Sequence, residues 1–456
     1  MDAETWVCDR ALLPSGDVAD DVVVEVEGGR FTRVEAGGST SAEAVRLRGL
    51  VLPGMADAHS HAFHRALRGR THSGRGSFWS WREQMYALAG RLTPETFLPL
   101  ARAAFAEGVL AGYTTVGEFH YLHHDVYGRP YRFRNEMGHV LIQAARDAGI
   151  RLTLLDTCYL TGGVSASDGE MLPLSERQVR FSDGDVDRWE ARVSALADGY
   201  TGADDVVIGA AIHSVRAVPA EALAVVAKWA ADRGAPLHAH VSEQPAENEA
   251  CHAIHGTTPT ELLSDHGVVS ERFTAVHATH LTDGDRTVLG EARAHACFCP
   301  TTERDLADGI GPARELLDAG ARLTFGSDSR AVVDPFEEAR ATEMNARLAS
   351  LERGVLTSAE LWAGLTTDGH ASLGFADAGR IEVGARADLV AVSLESPRTA
   401  GASAVAGADV ALFAASAADV TDVIVDGLPI VRDRQHRMGD VGELLADAIA
   451  AAYEES

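Results

Sequence analysis

Between residues 50 and 327 the chain keeps returning to a brief apolar run after a helical stretch and a Gly-containing break. The runs are LVLPGMAD (50–57), YTTVGEF (113–119), IRLTLLDT (150–157), DVVIGAAI (205–212), PLHAHV (236–241), FTAVHA (273–278), HACFC (295–299) and RLTFGS (322–327). Stretches such as PETFLPLARAAFAEGVLAGY and AEALAVVAKWAADRG separate them, with apolar residues at helical spacing. Strands alternating with helices build a parallel sheet, and eight such units are the number that closes a (β/α)8 TIM-like barrel of the α/β class.

The two ends of the chain read differently. DVVVEVEGGRFTRVEAGG near the start has the Gly-Gly punctuation of a hairpin, and GRIEVGARADLVAVSLE and VTDVIVDGLPIVRDRQHR near the end read as further strands. The β-rich ends are expected to pair into one small β-sandwich domain. Residues 1–50 and 376–456 then form its two parts, and residues 51–375 the metal-dependent barrel. The stretches 161–186 and 64–90 read as long loops, the second with a helix around SFWSWREQMYALAGRL.

With 46% hydrophobic and 23% charged residues, a chain of 456 residues has the composition of an ordinary folded protein. Its formal charge of −27 opposes a phosphate-binding surface, so nucleic acid is not an expected partner. MDAETWVCDRALLPSG lacks the basic start and apolar core of a secretion signal, and the apolar runs are too short or too interrupted to span a bilayer. Five irregularly spaced cysteines do not make a disulfide framework, and a reducing cytoplasm fits them best. The pair Cys297 and Cys299 reads as buried small hydrophobes.

Barrel enzymes carry their chemistry at the C-terminal ends of the strands. There the sequence places His59, His61 and His64 after the first run, Glu118, His120 and Tyr121 after the second, and His213 and Arg216 after the fourth. The fifth supplies His238, His240 and Glu243, the sixth His277, the seventh Glu303 and the eighth Asp328. Side chains two apart on a strand share a face, so His59 and His61 can grip one ion. With His240 and Asp328 they make three imidazoles and a carboxylate, a set suited to one Zn²⁺ per subunit, or Fe²⁺, with room for water. Such an ion makes hydrolysis the natural reaction class.

His238 shares the facing of His240 and could serve instead; His240 is preferred because Glu243, three residues on, can approach the same water as a proton shuttle. Taken alone, Glu243 also reads as a helix-starting carboxylate, and His277 as either a hydrogen-bonding group for the intermediate or a packed histidine. His213, not a lysine, ends the fourth run, which favours a single metal over a carbamate-bridged pair.

Across nearly the whole chain, VLPGMADAHSH, GARADLVAV and FGSDS resemble the amidohydrolase superfamily. HSHAFHRALRG, SFWSWREQMY, GEFHYLHHD, IHSVRAV, HAHVSEQPAE and VHATH further resemble its branch that deiminates N-formimidoyl-L-glutamate in histidine degradation. The resemblance implies zinc on His59, His61, His240 and Asp328, and proton transfer by Glu243, His277 and Asp328. It implies a dicarboxylate pocket drawing on His64, Arg82, Tyr121, His213 and Arg216, with His64 standing where the resembled motif has Gln. It also implies a homodimer.

An amidine joined to two carboxylates asks for an activated water beside fixed cations, and the planar fork of arginine suits a carboxylate. Two other readings remain at this level. One is a single-metal deaminase of a purine, pyrimidine or triazine ring, which asks for stacking and few cations. The other is a non-catalytic scaffold with a closed four-ligand metal, opposed by the presence of Glu243 and His277.

Overall fold

The computed structural model describes residues 4–39, 44–72, 76–164, 171–402 and 407–454. Strands Met55–Ser60, Tyr113–His120, Arg151–Cys158, Val206–Ile212, Leu237–Val241, Phe273–His277, His295–Phe298 and Arg322–Phe325 lie side by side in chain order, each pair parallel. These are the first to eighth barrel strands, and a parallel bridge between Ser60 and Asp328 joins the last to the first. The expected barrel is present with all its strands. They are sheathed on both faces, so every residue of the second and third strands is buried and the sequence shows apolar runs instead of alternation.

The breaks before the strands have a local cause. Helix Pro94–Ala111 begins at a Thr93 capping box with Pro94 in its first turn and ends at Gly112, whose φ of 105° is unfavourable for other residues. The second strand starts one residue later.

Outside the barrel, Glu4–Leu12, Val18–Glu27, Arg30–Ala36 and Val45–Pro53 join Leu389–Val392, Val420–Val425, Leu428–Arg432 and Gln435–His436 in one eight-stranded sheet. The two chain ends meet where Leu389–Val392 pairs antiparallel with Val45–Pro53. Alternation serves two cores here. Leu47, Val51, Leu389 and Ala391 face Trp6 and Phe31 inside the sheet domain, whereas Leu50, Leu52, Val390 and Val392 face the barrel core.

In the first long connection, Ala62–Leu67 is a short 3-10 helix and Phe78–Ala89 the expected helix, capped by Ser77. The stretch 161–186 carries a hairpin of Gly163–Val164 with Met171–Leu172 and a turn at Val179–Phe181, residues 165–170 lying outside the described residues. All five cysteines are free and buried, with Cys297 and Cys299 packed against Ala58 and Val276. No helix among the described residues is long and apolar enough to cross a membrane.

Candidate active site

Three imidazoles converge at the C-terminal mouth of the barrel. One ring nitrogen each of His59, His61 and His240 lies within 4.8 Å of the others, and His240 Nε2 is 3.2 Å from His59 Nε2. Asp328, just past the eighth strand, brings Oδ1 to 3.4 Å from His59 Nε2 and 3.5 Å from His61 Nε2. His61 Nδ1–H donates to the Phe119 carbonyl at 2.9 Å and His240 Nδ1–H to the His213 carbonyl at 2.9 Å. These bonds set the tautomers and leave the Nε2 lone pairs facing one point.

Burial lowers the pKa of all three rings, so they are neutral donors. Burial pushes Asp328 up, but His59, His277 and His61 outweigh it and hold the carboxyl below its usual range. Unprotonated nitrogens facing each other beside a carboxylate fit a divalent ion with nitrogen and oxygen preference. His238 takes no part in this cluster, because its Nε2–H donates to the Ser372 carbonyl at 3.1 Å.

His277 ends the sixth strand with Nε2 at 3.7 Å from both Glu243 Oε1 and Asp328 Oδ2, and Nδ1 at 3.5 Å from Glu303 Oε1. Burial opposes its protonation, yet these three carboxylates outweigh burial and raise its pKa well above the ordinary value. Burial also raises Glu243. The backbone here is unusual: Ser242, His277 and Asp328 have φ of 52°, 68° and 42°. Non-glycine residues in the left-handed region carry strain that only surrounding structure can hold, and these three cluster where the strands end.

A cavity of about 670 Å³ opens over the cluster, bordered by His64, Tyr121, His213 and both sequence-predicted arginines. Its wall is the helix Phe78–Ala89, which turns Phe78, Trp81, Arg82, Met85 and Tyr86 inward at i, i+3, i+4, i+7 and i+8. His64 Nε2 and the Tyr121 hydroxyl are 3.1 Å apart, and burial lowers the His64 pKa to about 3.

The two arginines differ. Arg216, expected as a carboxylate anchor, borders the cavity and is held by Glu243 at 3.3 Å and Glu247 at 3.0 Å. Arg82 lies over the Trp79 ring at 4.5 Å, and its buried Nε has no hydrogen-bond partner among the described residues. His123 and His124 are elsewhere, bonded to the Thr157 carbonyl at 2.8 Å and to Asp183 at 3.1 Å.

The model of the amidohydrolase family matches residues 50–430, the span that holds the barrel and the cluster at its mouth. The chain belongs to the amidohydrolase family. This amidohydrolase is 36% identical over 441 residues to the formimidoylglutamate deiminase of Pseudomonas aeruginosa, covering 94% of each chain. It is 27% identical to the 5-methylthioadenosine/S-adenosylhomocysteine deaminase of Natronomonas pharaonis, over 95% of this chain and 93% of that one. A solved amidohydrolase from Brucella melitensis superposes with a TM-score of 0.90 at 34% identity, covering 99% of this chain and 100% of its own.

Sequence reasoning left out four residues of the amidohydrolase's cavity region. Tyr86 could have been found from helical spacing with Phe78 and Arg82, and Glu247 from its place one helical turn beyond Glu243. Tyr159 follows the third strand directly, where barrel logic puts site residues. Gln178 carries no such signal, yet its amide donates to the hydroxyls of Tyr159 at 2.8 Å and Tyr86 at 3.2 Å.

Proposed function

We propose that this amidohydrolase deiminates N-formimidoyl-L-glutamate to N-formyl-L-glutamate and ammonia. The observation that carries the reading is Arg82, a guanidinium bordering the cavity over the histidine cluster that, among the described residues, has no carboxylate partner, whereas Arg216 has two. A neutral ring would leave that cation uncompensated, whereas a carboxylate pairs with its planar fork. The likeness to a formimidoylglutamate deiminase over 94% of the chain supports the same substrate.

His59, His61, His240 and Asp328 would hold one Zn²⁺, with Fe²⁺ the other ion such donors accept. A bound ion supplies the Lewis acidity that makes water nucleophilic near neutral pH. Asp328, kept ionised, accepts a proton from the attacking water. Protonated His277 faces both acidic partners and donates a hydrogen bond to the oxygen as charge builds on it. Glu243 passes a proton to the departing nitrogen. Overall a water oxygen bonds to the formimidoyl carbon, the bond from that carbon to the imino nitrogen breaks, and the nitrogen gains two protons to leave as ammonia. Arg82, with His64, Tyr121 and His213, holds the carboxylate-bearing end, and Arg216 steadies Glu243 from behind.

Ammonia release from formimidoylglutamate, 5-methylthioadenosine, 8-oxoguanine and cytosine, with metal content measured on the same sample, tests the proposal. Turnover confined to formimidoylglutamate supports it. Metal-loaded protein that deaminates a ring substrate and leaves formimidoylglutamate intact overturns it.

A further inference from the structure

Gln178 has its orientation set by a backbone N–H that can only donate. The Ser175 backbone N–H donates to Gln178 Oε1 at 3.0 Å and the Ser175 hydroxyl at 2.8 Å, so the amide nitrogen must face the opposite side. On that side it meets the Tyr159 hydroxyl at 2.8 Å, the Tyr86 hydroxyl at 3.2 Å and the Gly162 carbonyl at 3.2 Å. The amide has two N–H bonds for these three acceptors, and the Gly162 carbonyl can only accept, so at least one tyrosine oxygen receives an N–H and must send its own proton elsewhere. The hydroxyls are 3.5 Å apart, and their contact can use at most one of the two protons. Among the described residues neither has another acceptor. Both tyrosines line the cavity, with Tyr86 presenting its ring to Arg82 at 5.5 Å.

The geometry points to Tyr86 and Tyr159 as hydroxyl donors of a carboxylate subsite completed by Arg82, with Gln178 as the positioning residue that aims them. The inference rests on the dicarboxylate reading above and adds what distinguishes such a substrate from a plain amidine. Charge and direction agree: a guanidinium and an outward O–H both seek an anionic acceptor, and a carboxylate offers two oxygens. Burial raises the Tyr159 pKa, so its hydroxyl keeps the proton it donates.

The test uses the metal-loaded enzyme with formimidoylglutamate and with N-butylformamidine, which has the amidine and no carboxylate. Tyr159→Phe is expected to raise KM for formimidoylglutamate roughly 10- to 100-fold, the loss of one hydrogen bond to a charged group, with kcat little changed. Kinetics with N-butylformamidine stay as in wild type. Gln178→Glu still accepts from Ser175 but turns a donor into an acceptor; it draws the tyrosine protons inward and repels the carboxylate, so it raises the same KM at least as much. Folded Tyr159→Phe and Gln178→Glu variants that keep the wild-type KM overturn the subsite. Calorimetric titration with glutarate separates this from the functional reading. If wild type fails to turn over formimidoylglutamate but binds glutarate more tightly than Tyr159→Phe, the subsite stands alone; equal binding removes it.

Discussion

Asp57 in the first barrel strand accepts two hydrogen bonds from Ser327, from the amide at 2.8 Å and from the hydroxyl at 2.6 Å. One residue on, the Asp328 N–H donates to the His59 carbonyl at 2.9 Å and the Asp328 carbonyl accepts from the His61 N–H at 3.1 Å. The seam that closes the barrel is therefore the seam on which His59, His61 and Asp328 are mounted.

Asp57→Ala strands two buried donors on that seam. Stability should fall by about 2–4 kcal/mol in urea denaturation, the range for losing buried bonds to a carboxylate. Metal content of the purified variant should fall with it, because Asp328 loses its register against His59.

Gly326→Ala attacks the same seam from the other side. A methyl there would lie 2.7 Å from the His59 carbonyl oxygen and 2.9 Å from its nitrogen, backbone atoms that cannot swing aside. Overpacking of this kind costs about 1–3 kcal/mol, to be read from thermal unfolding of the metal-free protein.

Glu243→Gln keeps the shape of the side chain and its contact with Arg216 but cannot carry a proton. Ammonia release should drop by about 10²- to 10⁴-fold in kcat, the usual contribution of a general acid–base group. Metal content measured on the same sample should match wild type, because Glu243 is outside the set His59, His61, His240 and Asp328.

His370 predicts an acid-side loss of stability. It is fully buried, its Nε2–H donates to the Gly54 carbonyl at 3.0 Å, and burial lowers its pKa to about 4. The folded state therefore binds fewer protons than the unfolded chain, whose histidine titrates near 6.5. Its contribution is complete above about pH 6.5 and is lost as pH falls toward 4, amounting to about 2 kcal/mol by pH 5. Urea midpoints at pH 7 and pH 5 should differ less for His370→Asn than for wild type.

The barrel was legible because parallel strands buried on both faces leave apolar runs, and because helices that end at residues such as Gly112 leave punctuation. His-x-His at the first strand was legible because a period of two places His59 and His61 on one side. The aromatic wall was half legible, since helical spacing joins Arg82 to Phe78 and Tyr86.

Other features depended on segments that only the fold brings together. His238 and His240 are equivalent by spacing, and the fold separates them: the Ser372 carbonyl, 134 positions away, takes His238, while His240 meets His59 and the His213 carbonyl. Arg216 reads as an anchor for substrate, and the fold adds what the sequence does not show, Glu243, 27 positions away, and Glu247 as its partners. By itself the sequence determined residue types and local periodicity, which decide the elements and the face each side chain takes. Tertiary structure alone decided which of those faces meet, because tautomers and charge pairs are set by neighbours on other segments, Phe119 for His61, His213 for His240 and Glu243 for Arg216, and Asp328 joins His59 and His61 only when the eighth strand reaches the first.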